Sequence, residues 1–198
     1  METSLGILIL AAGSSSRMGQ PKTLLPWAES TVLETVLKTA LQLAHKEIVV
    51  IGGAHQQQLE SLLAKTGVKT IFNPNWQQGM GSSLALGIEC LSEIGIKKVL
   101  VLLADMPTIQ IDHLNALIES SNAEDCDVVC SVYGEMKGVP AVFNHTTFAR
   151  LMALEGEIGA KKLLKTASWR LISIDSETPF EDLDTPEDYQ SLKEKYKA

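Results

Sequence analysis

Three groups suited to phosphate stand close together near the start of the chain. They are Arg17, Gly19 and Lys22, behind the run Ser14-Ser15-Ser16 in LAAGSSSRMGQPKTLL. An arginine presents a planar fork to phosphate oxygens, and a lysine supplies a point charge on a flexible stem. Glycine and serine add backbone amides and hydroxyls that can ring a phosphate chain. Two cations among so many donors suit a triphosphate better than a neutral ligand. The spacing excludes two common cradles. A dinucleotide turn needs G-x-G-x-x-G at the entry to a helix, whereas Gly13 and Gly19 stand six apart and Gln20-Pro21 follow. A P-loop needs glycine directly before lysine, and here Gln20 and Pro21 intervene before Lys22. What is left is a longer cradle, from Ala11, Ala12 and Gly13 through Ser14, Ser15, Ser16, Arg17 and Gly19 to Lys22.

Such a loop needs a rigid support. Apolar runs of strand length alternate with amphipathic stretches of helix length. Strands are predicted at Gly6–Leu10, Glu47–Gly52, Lys69–Asn73, Lys98–Leu103, Asp127–Ser131, Val139–Asn144 and Arg170–Asp175. EIVVIGG and KKVLVLLAD are nearly unbroken, as strands covered on both faces should be. Helices are predicted at Thr31–Ala44, Gln56–Thr66, Ser82–Glu93, Ile111–Ser120, Thr146–Leu154, Ile158–Thr166 and Pro186–Tyr196. The alternation implies a three-layer α/β/α, Rossmann-like domain with a mostly parallel sheet, one domain over residues 1–198. The short YGEMKG link between the fifth and sixth runs reads as a turn between paired strands, so the sheet should be mixed. Ligands in such folds sit beyond the carboxyl ends of the strands. The loop after Leu10, the Asp105 loop and residues 73–83 all fall there.

The chain of 198 residues carries a net charge of −7, which gives no basic stripe for nucleic acid. Its longest apolar run, residues 5–12, is short of the ~20 residues a membrane span needs, and no basic leader precedes it. Cys90, Cys126 and Cys130 form neither an even disulfide framework nor a zinc pattern, and read as reduced thiols of a cytoplasmic protein. His45, His55, His113 and His145 share no metal-type spacing.

The loop closely resembles the signature L-x-[AG]-G-x-[SG]-x-R-[ML]-G-x-x-K of nucleotidyltransferases with the nucleotide-diphospho-sugar transferase fold. Further blocks stand in the same order: Asn73-Pro74-Asn75-Trp76 with GMGSSLALGI, then VLVLLADMP, GVPAVF and DLDTPED. Within that group the combination is most similar to the molybdenum cofactor cytidylyltransferases and their close relatives.

The resemblance implies attack on the α-phosphate of a nucleoside triphosphate with pyrophosphate leaving. Positioning and charge neutralisation dominate such chemistry. Mg²⁺ is the expected cofactor, and it takes carboxylate oxygens while keeping some water. Asp105, at the end of a strand, is the expected metal ligand. Either Asp182 or Asp184 is the second, with Asp184 the closer match and also a possible helix cap. Arg17, Lys22 and Asp105 are the expected catalytic groups. Gly79, Gly81, Ser82 and Ser83 are placed on the base or ribose side, with Ser82 or Ser83 capping a helix that begins near Leu84. Ala11, Ala12 and Gly13 would meet the base edge, and alanine at position 12 leans toward cytidine. Residues 137–148, with Gly138-Val139-Pro140 against the second substrate, and Glu157-Ile158-Gly159-Ala160-Lys161 are the expected acceptor side. The implied substrates are CTP and molybdopterin cofactor, handled by a monomer in transient contact with a molybdoenzyme or its chaperone. Two other readings stay open: a sugar or alcohol phosphate as acceptor, and a module that binds and delivers a finished cofactor without turnover.

Overall fold

The computed structural model describes residues 5–44, 47–123, 126–156, 159–166, 168–175, 181 and 183–197. Strands β1 (Leu5–Leu10), β4 (Glu47–Gly52), β5 (Lys69–Phe72), β6 (Lys98–Leu103), β7 (Val128–Tyr133), β8 (Met136–Asn144) and β9 (Leu171–Asp175) form a seven-stranded sheet in the order β5-β4-β1-β6-β8-β7-β9. Only β8 runs against its neighbours. β1 pairs in parallel with β4 on one side and β6 on the other, so the carboxyl ends of all three form one crest.

The alternation of side chains along β1 explains the layers. Ile7 and Ile9 pack with Leu33 and Leu37 of α1 (Val32–Ala40), Leu59 of α2 (Gln56–Leu63) and Leu114 of α4 (Ile111–Ser120). Leu8 and Leu10 point the other way, onto Leu84, Ile88 and Leu91 of α3 (Met80–Glu93), Leu151 of α5 (Phe148–Met152) and Leu164 of α6 (Ala160–Thr166). β1 buries all six of its residues, as a central strand covered on both faces must.

A third, smaller apolar cluster stands apart from these two. It joins Met18, Leu25, Trp27 and Val32 to Leu183, Tyr189 and Leu192 on and before α7 (Pro186–Tyr196). Its floor is a two-stranded antiparallel ribbon, β2 (Pro26–Trp27) and β3 (Ser30–Thr31), absent from the sequence-based expectation. Strands of two residues leave no periodicity to read.

The strand and helix order matches expectation, while several boundaries move. β7 and β8 extend to Tyr133 and Met136, making a tight hairpin with a register shift at Cys130/Ser131. The predicted helix over Thr146–Leu154 is a single 3-10 turn followed by the five residues of α5. α3 begins at Met80 rather than at Ser82, with Gly79 as its cap at φ 113°, a conformation that favours glycine. Ser82 and Ser83 therefore do not cap it. α7 is capped by Thr185, whose hydroxyl accepts from the Asp188 amide while the Asp188 carboxylate accepts from the Thr185 amide. Asp184 is thereby relieved of the capping role.

Among the described residues, no helix is long and apolar enough to cross a membrane.

Candidate active site

The loop after β1 is fixed at both ends. At its start the Ala11 amide donates to the Ile51 carbonyl of β4 (2.8 Å), and the Ala54 amide donates to the Ala12 carbonyl (3.3 Å). At its far end the Met18 amide donates to the Ser15 carbonyl (2.9 Å), and the Lys22 amide donates to the Ser15 hydroxyl (3.1 Å). Between these ties, among the described residues, no acceptor takes the amides of Ala12, Gly13 and Ser14. Successive free amides of this kind bind anions. His55 donates through Nε2 to the Ser14 carbonyl (3.1 Å), a support that its sequence context did not advertise. Gly53 is another. A Cβ at this position would lie 2.6 Å from the Ala12 carbonyl oxygen and 2.7 Å from the Trp76 Cβ, so only glycine lets these segments close together.

Lys22 crosses from this loop to the acidic side. Its ammonium contacts the Asp105 carboxylate directly and donates to Asp184 Oδ1 at 3.1 Å. Arg17 Nη1 lies 3.6 Å from Asp184 Oδ2. The Lys22 and Asp105 side chains are 19% and 11% exposed, whereas Asp184 is 50% and Arg17 75% exposed. The strong member of the cluster is therefore Lys22–Asp105, with Asp184 bridging it to the solvent-facing arginine. Burial pulls the Lys22 ammonium toward deprotonation, but the charges and hydrogen bonds of Asp105 and then Asp184 outweigh it. Its pKa stands above the ordinary lysine value.

Opposite the loop, Asn73 organises the entry to α3. Buried beyond β5, it donates through Nδ2 to the hydroxyls of Ser82 and Ser83 (2.9 Å each) and accepts from the Asn75 amide (2.9 Å). The Ser82 hydroxyl is spent on the Gly79 and Asn75 carbonyls, at 2.9 and 3.0 Å. Ser83 accepts from Asn73 and lines the cavity.

That cavity, about 330 Å³, opens at the crest of the sheet. It brings together Ala11, Ala12, Gly13, Ser14, Ser15, Lys22, Gly79, Ser83 and Asp105 from the sequence-based site. Ser16, Arg17, Gly19, Gly81, Ser82 and Asp184 are not on its wall. Of these, Gly81 is buried and donates its amide to the Gly156 carbonyl (3.1 Å), while Arg17 and Asp184 form the outer part of the charge cluster. Thr23, Trp76 and Gln77 line the cavity without having been singled out. Thr23 adjoins Lys22 in sequence, and Trp76 belongs to the recognised Asn73–Trp76 block, so both lay within legible motifs. Asp182, and the Glu157, Ile158 and Lys161 side chains of the expected acceptor turn, lie outside the described residues.

The donor set fits a hard divalent cation. Two carboxylates converge on one ammonium, where a cation of higher charge could replace it, and no third acidic, histidine or cysteine ligand joins them among the described residues. Such a site leaves coordination positions for water and substrate phosphate oxygens, as Mg²⁺ requires.

A mostly parallel sheet with one reversed strand, and a phosphate-type crevice across the carboxyl ends of β1 and β6, is the architecture of nucleotidyltransferases of the nucleotide-diphospho-sugar transferase type. The chain belongs to the family defined by the MobA-like NTP transferase domain, whose model matches residues 7–172. It is 30% identical over 197 residues to the purine catabolism protein PucB of Bacillus subtilis (strain 168), covering 94% of each chain. It is 26% identical over 194 residues to the molybdenum cofactor cytidylyltransferase of Escherichia coli (strain K12), covering 98% of each. Among solved structures, Rv0371c of Mycobacterium tuberculosis H37Rv superposes with a TM-score of 0.85 at 27% identity, over 98% of this chain and 99% of that one. A complex of the same mycobacterial protein with manganese superposes at 0.78 and 24% identity, over 97% and 99%. The chain is thus a nucleotidyltransferase by family and by fold.

Proposed function

We propose that this protein transfers CMP from CTP to the terminal phosphate of molybdopterin cofactor. An acceptor phosphate oxygen attacks the α-phosphorus, the bond between the α-phosphorus and its bridging oxygen to the β-phosphate breaks, and pyrophosphate leaves. The observation that carries this reading is the likeness, end to end, to a cytidylyltransferase of the molybdenum cofactor. The free amides of residues 12–14 take the phosphate chain, and Lys22 turns from its carboxylates to the phosphate oxygens as the triphosphate enters. Arg17, already at the solvent edge, reaches the outer phosphates. Ser83 has its oxygen occupied by Asn73, so its hydroxyl hydrogen is left for an acceptor on the base or ribose. Asp105 and Asp184 hold Mg²⁺, which when bound neutralises charge developing on the phosphates. The free thiols of Cys90, Cys126 and Cys130 accord with a cytoplasmic setting.

The test is pyrophosphate release by the purified protein with Mg²⁺ and molybdopterin cofactor, comparing CTP, GTP, ATP and UTP. Release with CTP is expected. Release with GTP in its place would overturn the base assignment, and release only with sugar or alcohol phosphates would overturn the acceptor. Binding of CTP without any release would make the protein a carrier. Asp105→Asn should abolish turnover in a folded protein, and wild-type turnover by that variant would refute the metal role.

A further inference from the structure

Arg17 and Asp184 are 167 positions apart and meet at 3.6 Å, yet both side chains are largely open to solvent. Neither is held by packing of its own. Each has a buried neighbour in the chain: Met18 follows Arg17 and is buried, and Leu183 precedes Asp184 and is fully buried. Met18 and Leu183 belong to the same small apolar cluster, which is separate from the two cores that cover the sheet. The cluster is pinned across its width, because the Tyr189 hydroxyl donates to the Pro26 carbonyl at 2.6 Å. Asp184 is held from its other side by the Thr185 cap of α7. The segment that carries all this, residues 183–197, lies beyond the stretch matched by the family model.

We propose that Leu183, with Tyr189, is a positioning residue for nucleotide binding. The satellite cluster acts as a rigid coupler that sets the spacing of Arg17 and Lys22 on the loop against Asp184 before α7. This rests on the nucleotidyl-transfer reading above. Loosening the cluster lets the loop and the second carboxylate drift apart while the sheet stays intact. Groups held in their bound arrangement before the ligand arrives bind it with less ordering cost, so the effect falls on the affinity for triphosphate with metal.

The experiment compares Leu183→Ala, its conservative counterpart Leu183→Met, Tyr189→Phe and a control, Leu91→Ala, in the core beneath the sheet. Hydrogen exchange of the bonded loop amides of Met18, Lys22, Leu24 and Leu25 is measured without ligand, and KM for CTP and kcat are measured with Mg²⁺. Leu183→Ala and Tyr189→Phe should exchange these loop amides about tenfold faster and raise KM about tenfold with little change in kcat. Leu183→Met should restore both. Leu91→Ala should lower thermal stability and leave loop exchange and KM as in wild type. Wild-type loop exchange in folded Leu183→Ala would overturn the proposal, and so would equal loosening of the loop by Leu91→Ala. Should Leu183→Ala not fold, Tyr189→Phe decides on the same readouts. Absence of pyrophosphate release from wild type would count against the proposed reaction, while loop exchange would still decide the coupling.

Discussion

Lys22 is predicted to affect metal and nucleotide in opposite directions. Its ammonium occupies the space between Asp105 and Asp184, so a divalent cation entering alone must displace it. Hydrogen bonds to charged groups are worth about 1.5–3 kcal/mol each, and half-exposed Asp184 belongs at the low end of that range. Removing the competitor should then favour metal by about 1.5–3 kcal/mol, a ~10- to 100-fold gain in affinity. The same substitution removes a charge-assisted bond to the triphosphate, which should weaken CTP binding by a comparable ~10- to 100-fold. Lys22→Met keeps much of the aliphatic stem and deletes the charge. Mn²⁺ binding without nucleotide, followed by the loss of the free-ion electron paramagnetic resonance signal, gives the first number. Calorimetric titration with CTP gives the second, with circular dichroism confirming the fold. An unchanged or lower Mn²⁺ affinity in folded Lys22→Met would refute the argument that the lysine stands in the cation's place.

Two further perturbations test the frame around the site. Gly53→Ala forces a Cβ against the Ala12 carbonyl and the Trp76 Cβ, neither of which can swing away. Overpacking of this kind costs about 1–3 kcal/mol, so thermal melting should fall by roughly 3–10 °C and KM for CTP should rise. At the opposite end of the sheet, Asp127 accepts from the Arg170 guanidinium, from the Arg170 amide (3.0 Å) and from the Thr146 hydroxyl (2.8 Å). These bonds hold its carboxyl well below the usual carboxylate range. A depressed folded-state pKa gives stability that is complete above the unfolded value, near pH 4, and is lost as pH falls below it. Asp127→Asn should therefore be less stable than wild type by about 1–3 kcal/mol at pH 7, with the gap closing toward pH 2 in urea unfolding.

The sheet was largely legible because its strands are runs such as LGILIL and KKVLVLL, whose composition leaves few alternatives. The crest could then be deduced from strand order, and with it the meeting of Gly13, Lys22 and Asp105. The finer geometry depends on partners remote in sequence. Nothing local in GMGSS tells that Asn73 takes both serine hydroxyls, so capping was the natural inference. The cap of α7, by contrast, is legible in DTPED. Proline prefers the first helical position, which makes the preceding Thr185 the cap, and Asp188 completes its capping box. The sequence alone thus leaves Asp184 free of the cap and available to the proposed cation site. The meeting of Met18 with Leu183 carries no local signature, since it depends on a helix packing back over the first loop of the chain.

That return of α7 to the loop after β1 gives the site a temporal order during synthesis. The loop and Lys22 emerge with the first strand of the sheet, and Asp105 follows at the end of β6. Asp184 comes only after β9, about 80 residues beyond Asp105, a delay on the order of ten seconds at cellular elongation rates. A nascent chain can build its crest and cradle while the second carboxylate is still within the ribosome. The carboxylate pair proposed to hold the cation is therefore completed late, after every strand of the sheet has been made.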